Sequence, residues 1–278
     1  MEEAAKTELK RIACKIRMGV IEGTYHAKSG HPGGSLSIAD DLAYLYWREM
    51  KVDPKNPDDP ARDRLVLSKG HTAPALYAAL AERGYFSAEE LKNLRHIGSM
   101  LQGHPDMKCT PGVDMSTGSL GQGVSAACGM ALAGKIDGAD YRVYTILGDG
   151  EIQEGQVWEA AMFAAHYKLD NLCAIVDNNG LQIDGAVGEV LSPYPIGEKF
   201  TAFGWHTIEV DGHDFDALER AFAEARGTKG RPTVFIQSSV KGKGVSFMEN
   251  AVSWHGKGPN TEEYGQAMAE LQAALQAL

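Results

Sequence analysis

Two stretches of sequence decide the fold: YRVYTILGDG at residues 141–150 and LCAIVDNN at residues 172–179. Each begins with a near-continuous apolar run, Tyr141 to Leu147 and Leu172 to Val176, and each ends in polar turn residues. A helix-like segment, Gln153 to Tyr167, separates them. Because apolar strands that alternate with helices are typical of parallel sheets buried on both faces, the pair predicts one strand–helix–strand unit.

The same alternation extends over the rest of the chain. Further strands are predicted at Arg64–Leu67, His206–Val210 and Thr233–Ser238. Helices are predicted over Thr7–Ala27, from Ala73, over Ser87–His96, Gly121–Ile136 and Ala217–Arg226, and from Thr261 onward. Ser37 with Asp40 three residues later is predicted to be a capping box opening a helix to about Met50. No linker or repeat interrupts the pattern, which predicts a single α/β domain over residues 1–278, with helices on both faces of a mostly parallel sheet.

Composition narrows the class of protein. The formal charge of −10 and the absence of a basic run argue against a nucleic-acid or anionic-membrane surface. The four cysteines show no C-x-x-C pairing, which argues against a zinc site or a disulfide framework and favours a reducing compartment. The charged segment Met1–Lys10 does not resemble a signal peptide, and no apolar run is long enough to span a bilayer. We therefore expect a cytoplasmic protein.

Asp149 and Asn179 follow the two apolar strands directly and are 30 residues apart. If the strands are parallel, both side chains lie at the same edge of the sheet, where open α/β sheets bind ligands. Their oxygens suit magnesium or calcium, Gly150 leaves room for a phosphate, and the helix start near Gln153 adds N–H donors for an anion. Gly-Asp-Gly alone is typical of a turn. The Asn-Asn pair at the matching position favours a cofactor site.

A series of short motifs, in order along nearly the whole chain, resembles the N-terminal part of transketolases. The motifs are Ser29-Gly30-His31-Pro32-Gly33, Ser68-Lys69-Gly70-His71, Gly103-His104-Pro105, Thr117-Gly118-Ser119-Leu120-Gly121-Gln122-Gly123, Gly148-Asp149-Gly150, Asp177-Asn178-Asn179, Ile183-Asp184-Gly185 and Trp254-His255-Gly256. The resemblance implies a thiamine diphosphate-binding fold and transfer of a two-carbon ketol unit between sugar phosphates, as in the pentose phosphate pathway.

The resemblance also implies roles for individual residues. Asp149, Asn179 and the carbonyl of Leu181 would hold a metal, magnesium first, with calcium or manganese as alternatives. The cofactor would be contacted by His71, Gly118, Leu120, Gly150, Ile183 and His255. Four histidines, His31, His71, His104 and His255, would move protons at the sugar hydroxyls and carbonyls, work for which imidazole is suited near neutral pH.

Other candidates are predicted to be structural. These are His26, His96, His166, His206 and His213, and the Lys241–Gly244 segment, which is predicted to be a loop leading toward His255.

In transketolases the glutamate that activates the cofactor's aminopyrimidine ring lies in a pyrimidine-binding domain, which is not recognisable in this sequence. We therefore expect a partner subunit carrying that domain, in a two-plus-two heterotetramer with active sites at the interfaces. The alternatives are a deoxyxylulose phosphate synthase-like or 2-oxo acid dehydrogenase-like activity, and a non-catalytic cofactor-binding module. The four histidines favour ketol transfer over the dehydrogenase, and the His104 and His255 motifs favour it over the synthase. The sugars, the metal and the oligomer count stay open.

Overall fold

The computed structural model describes residues 1–278. Its strands are β1 Arg64–Leu67, β2 Val143–Gly148, β3 Leu172–Asn178, β4 Leu181–Gln182, β5 Gly185–Ala186, β6 His206–Asp211 and β7 Thr233–Ser238. Five of them form a parallel sheet in the order β1-β2-β3-β7-β6, and β4 pairs with β5 as a small antiparallel hairpin.

Ten α-helices surround the sheet. They are α1 Glu3–His26, α2 Pro32–Ser37, α3 Ala39–Tyr44, α4 Ala73–Arg83, α5 Gln122–Asp137, α6 Gly155–His166, α7 Val187–Leu191, α8 Ile196–Ala202, α9 Phe215–Gly227 and α10 Thr261–Gln276. Shorter helical turns occur at Leu45–Glu49 (π) and, in 3₁₀ form, at Gly70–Thr72, Ala88–Asn93, Glu151–Gln153 and Val252–Trp254. None of the helices combines the length and the apolar character needed to cross a membrane.

Successive strand residues enter two separate cores, one on each face of the sheet. Ile146 and Ile175 belong to a core with α1, α3, α4, α9 and α10. Their neighbours Leu147 and Val176 belong to a second core with α5, α6 and α8. Because both faces are covered, the central strands β2 and β3 are buried along almost their whole length, as their apolar sequences predicted, whereas the edge strand β6 is only partly buried. The predicted fold class is confirmed.

The carboxyl ends of the central strands are level with one another. Gly148 at the end of β2 lies opposite Asp177 of β3, and Asp177 lies opposite Gln237 of β7. The residues that follow each strand therefore meet at one edge of the sheet, which is the arrangement predicted for Asp149 and Asn179.

The predicted capping box at Ser37 and Asp40 is wrong. Ser37 is the last residue of α2, and its hydroxyl donates to the carbonyl of Gly34 and to the carboxylate of Asp177. Asp40 instead pairs with Arg17 of α1. A polar side chain at the start of a helix can hydrogen-bond to its own helix or to a distant residue. Here Ser37 and Asp40 are both buried, and each bonds to a residue of another element. The β4–β5 hairpin, α7 and α8 were not predicted.

Helix α5 packs closely against the end of β1, as its small residues predicted. A methyl group built on Gly123 would lie 2.6 Å from Cα of Ser68. Gly129, on the exposed side of the same helix, would have no atom within 4 Å of such a methyl.

These two glycines give a matched test of the packing. We expect Gly123→Ala to lower the free energy of unfolding by roughly 1–3 kcal/mol, because the overpacked contact is with backbone. Gly129→Ala should raise it by about 0.5–1 kcal/mol, because alanine is the better helix former. Urea unfolding of both variants checks this, and a stabilising Gly123→Ala would contradict the packing described.

Candidate active site

A cleft of about 350 Å³ lies at the carboxyl edge of the sheet, over the ends of β2 and β3. It is lined by every predicted site residue except His104: His31, His71, Gly118, Leu120, Asp149, Gly150, Asn179, Leu181, Ile183 and His255. Segments far apart in the sequence thus converge on one cavity.

His104 lies directly behind the wall of this cleft. Gly118 has a φ of +147°, and a Cβ added there would come within 3.0 Å of the His104 ring. The Tyr77 hydroxyl donates to the His104 carbonyl at 2.9 Å and so fixes the loop. Glycine at position 118 therefore lets the cleft wall lie against the imidazole.

Asp177 is the buried anchor of the site. Its carboxylate accepts hydrogen bonds from Lys69 Nζ at 2.5 Å, Ser37 at 2.7 Å, Asn179 Nδ2 at 2.9 Å and the Ser239 hydroxyl. Burial alone raises the pKa of Asp177, but Lys69 and the other donors outweigh it and hold the pKa below its usual value. Asp177 is thus kept as a carboxylate inside the protein.

Asp149 is also buried, at 2% exposure, but has no cationic hydrogen-bond partner. Its two carboxylate oxygens accept backbone N–H groups of Gly150 at 2.8 Å and Gly180 at 2.5 Å. Burial, and then the nearby Asp177 charge, raise the pKa of Asp149 to about 6. A buried carboxylate without a cationic partner is stabilised by binding a cation.

The neighbouring donor set fits a hard cation. Asn179 Oδ1 lies 3.1 Å from the backbone nitrogen of Leu181, and the carbonyl of Leu181 accepts a hydrogen bond from the ammonium of Lys241 at 2.9 Å. No three His, Cys, Asp or Glu side chains are grouped to hold a metal. A metal here would therefore use one carboxylate, an amide oxygen and a carbonyl, which are oxygen ligands that magnesium and calcium accept.

Three imidazoles face one another in the cleft. The ring centroids of His31 and His71 are 5.1 Å apart, those of His71 and His255 are 5.2 Å apart, and those of His31 and His255 are 5.5 Å apart. Lys241 Nζ lies 3.0 Å from Nδ1 of His255, so that this ring nitrogen accepts from the ammonium.

Burial keeps these rings neutral. It is the main cause that lowers the pKa of His31 to about 4, with Arg95 next, and that of His255 to about 3, with Lys241 next. The pKa of His71 is lowered well below its usual value by burial and then by Lys69. Burial, followed by Lys69, also lowers the pKa of Lys241 to about 8. Near neutral pH these imidazoles are therefore uncharged.

The sequence interpretation missed three residues of the site. Lys69 and Lys241 both line the cleft, although Lys241 was assigned to a connecting loop. The third is Glu151, which accepts the N–H groups of Gly121 and Gly148, each at 3.0 Å, and so ties two cleft loops together. Lysine and glutamate are ordinarily exposed, so only their burial in the fold distinguishes them. The histidines predicted to be structural include His213, which is held between Asp40 and the backbone of Val240.

The carboxyl edge of this parallel α/β sheet carries an acid, an amide, two lysines and three histidines, a set of side chains that fits an anionic cofactor. Residues 9–273 match the family described as "Transketolase, thiamine diphosphate binding domain". The chain belongs to this family.

Known relatives agree with the family match. The chain is 49% identical over 95% of its length to the 6-deoxy-6-sulfo-D-fructose transketolase subunit of Clostridium sp. (strain MSTE9), covering 96% of that protein. It is 43% identical over 95% of its length to an apulose-4-phosphate transketolase subunit of Phocaeicola vulgatus, covering 94% of that protein. Transketolase of Pichia stipitis, solved in complex with sedoheptulose 7-phosphate, superposes with a TM-score of 0.91 at 31% identity, over 98% of this chain and 43% of that one.

The Lys69–Asp177 pair supports a stability prediction. Lys69→Met keeps most of the side-chain volume but leaves Asp177 buried without its cation, so the free energy of unfolding should fall by roughly 3–5 kcal/mol. Lys92→Met is the control, because Lys92 pairs with Glu89 on the surface and should cost at most about 0.5 kcal/mol. Denaturant unfolding measures both, and equal losses would show that the buried pair has no special weight.

Proposed function

We propose that this chain binds the diphosphate end of thiamine diphosphate together with a divalent metal, for which magnesium is the first candidate. With a partner subunit it would then transfer a two-carbon ketol unit from a ketose phosphate to an aldose phosphate. The observation that carries the proposal is the set of neutral, mutually contacting imidazoles in the same cleft as Asp149 and Asn179. A module that only bound the cofactor would have no need of three half-buried imidazoles beside it.

The oxygen ligands and the lysines suit the two ends of a metal–diphosphate pair. Asp149, Asn179 and the Leu181 carbonyl would hold the metal, with calcium and manganese as alternatives. Lys69 and Lys241 would face the phosphate oxygens. Anionic phosphates beside Lys241 would also raise its lowered pKa, because an opposite charge favours the ammonium form.

The remaining predicted contacts would shape the cofactor pocket. His71, His255 and Gly150 would lie against the diphosphate, with Gly118, Leu120 and Ile183 along the ring system. When bound, the cofactor would supply the carbon nucleophile and the electron sink for carbon–carbon bond cleavage.

The histidines would handle the protons of the sugar. His31 and His104 would accept from and donate to the first hydroxyls of the donor, and His255 would act near the acceptor carbonyl, with His71 beside it. A ring that is neutral at working pH can take a hydroxyl proton directly and return it later as an acid. The low pKa values in the free chain should rise toward neutrality when the anionic cofactor arrives.

Exposure at the cleft supports a partner subunit. Ile183 lines the cleft yet is 64% exposed, and Leu191 nearby along the chain is 60% exposed. Large apolar side chains at the mouth of a site are typical of surfaces that another protein covers. Two relatives that this chain covers over almost their full length are both named as subunits. We propose that residues 1–278 act as one domain in a cytoplasmic two-plus-two heterotetramer with a pyrimidine-domain subunit.

The metal site has a direct test. Asp149→Asn removes the only carboxylate of the donor set, so magnesium-dependent affinity for thiamine diphosphate should fall by at least about tenfold. Asp184→Asn makes the same chemical change at an exposed position of the neighbouring loop and should leave the affinity unchanged. Calorimetric titration of each variant with thiamine diphosphate in magnesium measures the affinity, and an unchanged value for Asp149→Asn would refute the assignment.

Reconstitution tests the reaction. The purified chain with thiamine diphosphate and magnesium should show no ketol transfer, and addition of a candidate pyrimidine-domain subunit should restore it. The substrate screen should include sulfonated and branched sugars beside ketose phosphates, since the relatives are named for such substrates. Robust transfer by the chain alone would overturn the need for a partner, and no transfer with any partner would favour a non-catalytic module.

A further inference from the structure

Arg95 occupies a constrained position beside the site. Its φ is +63°, a left-handed conformation that is unfavourable for a non-glycine residue. Its backbone N–H donates to the carbonyl of Leu101 at 2.8 Å, which closes the loop between them. A strained backbone of this kind persists where the surroundings require it, and it is concentrated at functional sites.

The guanidinium of Arg95 bridges two loops that carry predicted catalytic histidines. Nη1 donates to the hydroxyl of Ser29 at 3.1 Å, two residues before His31. Nη2 lies 3.5 Å from the carbonyl of Gly103, the residue before His104. A Cβ on Gly103 would come within 3.1 Å of the guanidinium carbon, so the planar group lies directly against that backbone.

We infer that Arg95 is a positioning residue that clamps the His31 loop to the His104 loop at the sugar-binding end of the cleft. The inference rests on the proposed function, because the proposed function has His31 and His104 act together on the hydroxyls of the donor sugar. A planar fork with donors on both arms suits this bridge, whereas a lysine is a single point charge. Arg95 is not itself among the residues that line the cleft.

The position of the guanidinium also has an electrostatic consequence. The groups that face His31 are Arg95, His104, Lys241 and the rings of His71 and His255. After burial, Arg95 is the largest cause that lowers the pKa of His31, and it is the only charged group that lowers the pKa of His104. The clamp should therefore keep both rings neutral at working pH as well as holding them together.

Three variants separate the clamp from its charge. Arg95→Gln removes the charge, Arg95→Lys keeps the charge but loses the fork, and Lys108→Gln is the control that removes an exposed positive charge from the His104 loop. Nuclear magnetic resonance titration of the imidazoles, on the chain without cofactor, should give higher pKa values for His31 and His104 in Arg95→Gln. The same values as in the unmodified chain would overturn the electrostatic part.

Kinetics of the reconstituted complex test the positioning. Both Arg95 variants should lose about 10- to 100-fold in kcat/KM for the donor sugar, because the two bases are displaced relative to each other. Affinity for thiamine diphosphate should be unchanged. The acid limb of the kcat/KM profile should move to higher pH in Arg95→Gln, since raised histidine pKa values cost neutral base as pH falls, and should stay in place in Arg95→Lys.

Full activity of both Arg95 variants would overturn the clamp. Absence of ketol transfer in the unmodified complex would instead count against the proposed function, while the imidazole titration of the chain alone would still decide the role of Arg95.

Discussion

The carboxylate of Asp177 is the interaction on which the rest of the structure depends. It lies fully buried at the end of β3 and collects the ammonium of Lys69, the hydroxyls of Ser37 and Ser239, and the amide of Asn179. A charge taken out of water is tolerated only when it is paired and fully hydrogen-bonded. Lys69 follows β1, Ser239 follows β7, and Ser37 is the last residue of α2. The hydrogen bonds that these residues make to Asp177 therefore set the positions of β1, β7 and α2 relative to β3.

The cofactor end of the site follows from that arrangement. With β2 and β3 level at their ends, Asp149 is brought beside Asn179 and the carbonyl of Leu181. Burial raises the pKa of Asp149 and lowers that of Lys241, whereas the donors around Asp177 outweigh burial and hold its pKa below the usual value. Ionisable groups held partly against their preferred state are typical of sites that bind charged ligands. These groups lower the stability of the isolated chain, which is consistent with a chain that is stabilised when a cofactor and a partner bind.

The proposed sugar end is built differently, from loops above the sheet. Neither His31 nor His104 is in a regular strand, and a small number of side-chain contacts hold their loops. Tyr77 fastens the backbone at His104, and Arg95 reaches both loops. Relatives that share the domain are named for different sugars.

The sequence alone determined the parallel α/β sheet, because a strand buried on both faces must be apolar throughout and its end is marked by turn residues. It also determined that Asp149 and Asn179 share an edge, since strand–helix–strand spacing leaves no other place for them. Which partners Ser37, Lys69, Lys241 and Glu151 find was decided only by the tertiary structure. Such polar side chains can hydrogen-bond to water or to nearby backbone, as the capping box predicted for Ser37 assumed. Only when segments distant in the chain enclose them does the cost of an unpaired buried group select their partners.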